Sequence, residues 1–153
     1  MPFHFRKRPA RGIFPYLGKP LIVFLTVCSM DRRPWLASAE VHKLLRAVWT
    51  EADAWLVGRY VLMPDHVHLF CSPCRPGVDL ERWVRFWKST FTRRHAEPSH
   101  RWQRQHWDRR LRGDDSYSVK WDYVRNNPVR AGLVEHADDW PYQGEMHSLL
   151  WHD

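Results

Sequence analysis

A chain of 153 residues with 44% hydrophobic and 27% charged positions has the length and balance of one globular domain, which excludes a second complete domain and disorder of the whole chain. Its 24 Lys and Arg outnumber its 17 Asp and Glu by seven, with a pI near 9.7, and such a surplus attracts polyanions, nucleic acid foremost. Cys28, Cys71 and Cys74 are too few, and odd in number, for a secreted disulfide framework and fit a reducing cytoplasm, while no apolar run approaches the roughly 20 residues of a membrane helix.

Residues 1–20 carry Arg6, Lys7, Arg8, Arg11 and Lys19, no acid, and prolines at 2, 9, 15 and 20, so they read as a basic arm through which no helix runs. Leu21 to Cys28, rich in β-branched and aromatic residues, reads as a buried strand. Ser38 is placed to cap a helix whose Val41, Leu44, Leu45, Val48 and Ala52 line one face. Trp55 to Leu62 and His66 to Ser72 form two strands joined by the turn-prone Met63-Pro64-Asp65. A second helix begins at Asp79, with Leu80, Trp83, Val84, Trp87 and Phe91 as its apolar stripe and Arg82, Arg85 and Lys88 as a basic flank. Glu97 to His100 is a loop, and Arg101 to Arg110 alternates weakly as a last strand. Ser116 to Asn127 reads as a third helix, led in by Asp114 and Asp115 and closed by Pro128 with Gly132 soon after. The order β-α-β-β-α-β-α, with an antiparallel hairpin and helices returning to one face, predicts an α+β, ferredoxin-like sandwich over residues 21–153.

Two constellations carry chemistry. On a strand, His66 and His68 project from one face roughly 6.5–7 Å apart along the chain, while Val67, Leu69 and Cys71 point the other way, so two imidazoles can lean onto one metal ion. Alone, such a pair also describes two satisfied surface histidines. Cys71 and Cys74 have zinc-ligand spacing, but strand parity sends Cys71 away from the histidines. On the last helix, Tyr117, Trp121 and Val124 form the inward stripe. Tyr123 lies off it, on a polar face with Ser116, Lys120 and Asn127, where its hydroxyl is available. A partly buried tyrosine with a hydrogen-bonded tip fits the same pattern.

The run Tyr60-Val61-Leu62-Met63-Pro64-Asp65-His66-Val67-His68-Leu69-Phe70, followed some fifty residues later by Asp122-Tyr123-Val124-Arg125-Asn126-Asn127-Pro128-Val129-Arg130-Ala131-Gly132-Leu133-Val134, resembles the single-tyrosine HUH transposases, and most closely their REP-associated tyrosine transposase branch. The resemblance spans roughly Leu21 to Tyr142. It implies a metal-dependent DNA endonuclease and strand transferase acting on single strands folded into hairpins, including REP-type palindromes. By position, Tyr123 matches the nucleophile that forms a 5′-phosphotyrosine, and His66, His68 and Asn127 match the holders of Mg²⁺ or Mn²⁺. Tyr117, on the apolar stripe, is a decoy. The alternative is a hairpin-binding protein of the same fold that does not cut.

Between Arg82 and Arg112, ten Arg and Lys face only Glu97 and Asp108, with aromatics interleaved. This stretch reads as a DNA-binding surface in which Arg82, Arg85, Lys88, Arg93 and Arg94 meet phosphates and Trp107 stacks on a base, joined by Lys120 from the last helix.

Overall fold

The structure is a computed structural model that describes residues 20–153; the basic arm expected before that point lies outside the described residues. Strand β1 is Val23–Cys28, every residue of it buried. Helix α1 is Ala39–Glu51, and Ser38 caps it through its hydroxyl, which accepts from the Val41 amide at 3.1 Å. Strands β2, Trp55–Leu62, and β3, His66–Pro73, make the expected hairpin. Helix α2, Leu80–His95, starts at an Asp79 cap that accepts from the Arg82 amide, and its stripe Leu80, Trp83, Val84, Trp87 and Phe91 is buried throughout. Strand β4 is only Trp107–Arg110. The preceding residues reach the sheet by one bridge, Trp102 to Ser29, because they turn away to wall a groove beside α2.

The sheet order is β4-β1-β3-β2-β5 with antiparallel pairing throughout, so its first four strands have the ferredoxin-like arrangement. The fifth strand, β5 at Gln143–Glu145, was not expected. Three residues with no alternation give no local signal, and pairing with β2 alone defines it.

Two further expectations need correction. The last helix is not continuous to Asn127: α3 is Tyr117–Arg125 and a short α4 is Asn127–Arg130, parted at Asn126. Pro128 has no N–H to offer the Val124 carbonyl, which accepts instead from the Asn126 amide. Nor do all helices return to one face. Helices α1 and α2 cover the face bearing Val23, Leu25, Val67 and Leu69, whereas Tyr117 and Val124 of α3 pack with Phe24, Val61 and Phe70 on the opposite face.

A bulge in β2 between Val57 and Tyr60 positions α3. The Tyr117 hydroxyl accepts from the Arg59 amide there at 3.0 Å, and Gly58 is required because a Cβ would stand 2.6 Å from that hydroxyl oxygen. No described helix is long and apolar enough to cross a membrane.

Candidate active site

The site grows from the register of three strand segments. Cys28 pairs with His66 and Thr26 with His68 across β1 and β3, and Thr26 pairs with Trp107 across β1 and β4. Alternation then sets these side chains on one face, where Thr26, Cys28, Arg32, His66, His68 and Trp107 line a cavity of ≈ 410 Å³. Inside it the two Nε2 atoms converge at 3.1 Å. Each Nδ1 is held from behind: His66 Nδ1 at 2.7 Å from Asp65 Oδ1, and His68 Nδ1 at 2.8 Å from Thr26 Oγ1. A carboxylate only accepts, so His66 keeps its proton on Nδ1 and turns the Nε2 lone pair into the cavity. Thr26 can donate to or accept from His68, so the second lone pair becomes available by a change of tautomer.

Electrostatics favours the neutral rings a metal needs. Burial lowers the His66 pKa, and the Asp65 hydrogen bond opposes it only in part. His68 lies well below the usual histidine range, first through burial and then through the charges of His66, Arg32 and Arg130. Burial works to raise Asp65, but its hydrogen bonds to Arg32 (2.9 Å) and His66 prevail and hold its carboxyl below the ordinary value. Burial also pushes up the Cys28 thiol, which opposes a thiolate ligand beside the histidines. Cys71 packs in the core on the other face, so the parity argument against a shared zinc site holds.

Tyr123 is 37% exposed whereas Tyr117 is 5% exposed, with its phenol pushed up to about 12 by burial; the off-stripe tyrosine is the accessible one. One arginine joins Tyr123 to Asn127. Arg130 donates to the Tyr123 carbonyl and to Asn127 Oδ1, both at 2.8 Å, and its guanidinium lies 4.1 Å over the Tyr123 ring. The charge of Arg130 is also among the causes that lower the His68 pKa. Among the described residues no group of three His, Cys, Asp or Glu is placed to hold a metal ion.

The expected DNA-binding residues divide. Trp107 lines the histidine cavity. Arg85, Lys88 and Arg93 line the groove beside α2, while Arg94 is paired with Glu51 and Lys120 lies 3.7 Å from Asp115. Arg82 is exposed on α2 outside that groove. Asp65, adjacent to His66, and Arg130, three residues beyond Asn127 and seven beyond Tyr123, carry no site role in the sequence pattern although both fall within the two quoted runs. Thr26 and Arg32 carried no signal, because only strand register and the turn after β1 bring them here.

No family model matches the chain. Over 127 residues, 78% of this chain and 73% of the relative, it is 29% identical to the REP-associated tyrosine transposase of Escherichia coli (strain K12). It is also 29% identical over 94 residues to a Haemophilus influenzae protein named for the same transposases, and there the match spans about half of each chain (53%). A solved structure of a REP-associated tyrosine transposase bound to a REP hairpin superposes with a TM-score of 0.69 at 25% identity, covering 84% of this chain and 78% of that one. A crystal structure from Deinococcus radiodurans, 22% identical with a TM-score of 0.51 over 78% of this chain and 96% of that one, shares the fold. In sequence and in fold alike, the chain is similar to the REP-associated tyrosine transposases.

Proposed function

We propose that the protein is a metal-dependent endonuclease and strand transferase for hairpin-forming, single-stranded DNA, with Tyr123 as its nucleophile. The observation that carries this reading is the convergence of His66 and His68 Nε2 at 3.1 Å with both Nδ1 atoms held from behind, in a chain similar to transposases. Paired neutral imidazoles with fixed second nitrogens are the chemistry of a metal site. His66 and His68, with Asn127, would hold Mg²⁺ or Mn²⁺, of which imidazole suits Mn²⁺ better, and the bound cation supplies Lewis-acid polarisation of the scissile phosphodiester.

The chain's own residues supply the rest. Tyr123 Oη gives up its proton to solvent and attacks phosphorus in line, the P–O3′ bond breaks, and the departing 3′ oxygen takes up a proton from solvent, leaving a 5′-phosphotyrosine and a free 3′-hydroxyl. The covalent bond conserves the energy of the broken one, so a second strand can be joined without ATP. Arg130 holds the backbone and ring of Tyr123 and the amide of Asn127 as one unit. The hairpin bound by the structural neighbour supports hairpin DNA as partner, and REP-type palindromes are the first substrates to try. A cytoplasmic setting, where the three free thiols stay reduced, fits this reading.

The test is incubation with a labelled DNA hairpin carrying unpaired flanks, in Mn²⁺, followed by a denaturing gel. A denaturant-stable protein–DNA adduct is expected, lost in Tyr123→Phe while hairpin affinity stays within about twofold, since only the attacking oxygen is removed. Undiminished nicking by Tyr123→Phe would place the nucleophile elsewhere. Hairpin binding by the wild type without any adduct would favour the second reading, a non-cleaving binder. That reading draws on one observation: Asn127 Oδ1 is already engaged by Arg130.

A further inference from the structure

A groove of ≈ 1300 Å³ runs between α2 and the segment 101–106. One wall carries Arg85 and Arg93 from α2; the other carries Arg101 and Arg104. Glu81 is the single carboxylate among its lining residues and is already 3.6 Å from Arg85. The far wall is pinned by Lys88, whose half-buried ammonium donates to the Gln103 carbonyl at 2.7 Å and the Arg104 carbonyl at 3.3 Å. His106 also lines the groove, with its side chain 5% exposed and its Nε2 4.0 Å from Asp108 Oδ2.

The volume exceeds the roughly 300–1,000 Å³ of a small-molecule pocket. Guanidinium groups on both walls, over an apolar floor that includes Val84 and Trp102, suit a polyanion whose phosphates face charge and whose bases face carbon. The groove and the histidine cavity lie on opposite faces of the sheet, on either side of the end of β1. The Gln103 amide donates to the Cys28 carbonyl at 2.8 Å and the Met30 amide to the Arg101 carbonyl at 2.7 Å, so the end of β1 separates the two by a single strand width. Cys28 and Trp107 line the cavity, while Met30, Trp102 and Gln103 line the groove.

We propose that this groove is a track for the phosphodiester backbone of unpaired DNA continuing from the histidine cavity, with Arg93, Arg101 and Arg104 on its phosphates. The direction of the strand rests on the reading of the cavity as the cleavage site; the binding itself does not. A duplex stem would lie across the rim, and a single strand enters.

The test measures affinity of the full chain, across a salt series, for a blunt hairpin, the same hairpin with an unpaired flank, and oligothymidylate. Arg101→Ala with Arg104→Ala, both exposed and so expected to keep the thermal midpoint, should bring the flanked hairpin down to the affinity of the blunt one, about tenfold. The double change should also flatten log affinity against log salt by about 0.7 for each phosphate that is no longer neutralised. Blunt-hairpin affinity should not change, and the paired Lys substitutions should restore most of the slope. Equal weakening of the blunt hairpin would mean the groove holds the stem, and unaltered affinity and slope for every probe would remove it as a DNA surface; either overturns the proposal. If the wild type ignores hairpins, the function proposed above fails but the groove is still judged on oligothymidylate: salt-dependent binding that disappears in the double variant upholds it, and no binding by the wild type, or undiminished binding by the variant, overturns it.

Discussion

The two faces of the sheet are built from alternate residues of the same strands, yet they serve different ends. On β3, Val67, Leu69 and Cys71 point under α1 and α2 into a core with Trp49, Trp55, Trp83 and Trp87, where they have no exposed surface. His66, His68 and Phe70 point the other way. That face is closed only at one end, where Tyr117 and Trp121 pack on Phe70 with ring centroids 4.9 and 6.5 Å away. At the other end the histidines line an open cavity. The contrast teaches that a side-chain period of two lets one surface supply the stability that allows the other to hold polar groups in a fixed geometry.

That division can be broken by substitution, and the largest effects should come from one residue on each face. His68→Ala should slow adduct formation by at least ~10³-fold, a barrier increase of about 4 kcal/mol or more, and abolish Mn²⁺ binding, while the urea midpoint moves little. Trp87→Ala should instead cost about 3–5 kcal/mol of stability, with the folded fraction keeping its rate. If His68→Ala unfolds the protein, the histidine is part of the core and the faces are not separate in function.

A smaller effect belongs to the helix-covered side. Burial, and then the charge of Lys88, push the His106 pKa down to about 4. Above that pH the folded protein keeps His106 neutral, while the unfolded chain takes up its proton near 6.5. The unfolded state thus binds more protons between these values, and stability should fall as pH drops from about 6.5 to about 4, by at most about 3 kcal/mol. Urea midpoints across that window should show the loss in the wild type and not in His106→Gln. An equal slope in both proteins would assign the pH dependence to other groups.

The smallest effect sharpens the picture of the histidine face. Asp65→Asn keeps the size of the side chain but weakens the hold on His66 Nδ1–H, and Mn²⁺ affinity measured by calorimetry should drop about 10- to 100-fold. Unchanged affinity would mean that Asp65 serves Arg32 alone.

The elements and their caps were legible because their causes are local. Ser38, expected as a cap, sits three residues ahead of Val41, and Asp79, expected as the start of its helix, stands one residue before Leu80 as the cap; both side chains accept from amides three residues on. The same short-range geometry put His66 and His68 on one face and separated Tyr123 from the buried Tyr117, since each follows from strand or helix period within a few residues. Long-range pairing decided the rest. Thr26 stands behind His68 across 42 positions only because β1 and β3 pair in that register, and β5 exists only as a partner for β2. The side of the sheet taken by α3 depends on the bulge amide that reaches Tyr117 across 58 positions. Arg101 and Arg104 form a groove wall only because Lys88 pins their loop against α2. A residue pattern carries the angle between near neighbours, which steric rules set within a turn or a pleat; the meeting of distant segments depends on register and loop path, which no local pattern specifies.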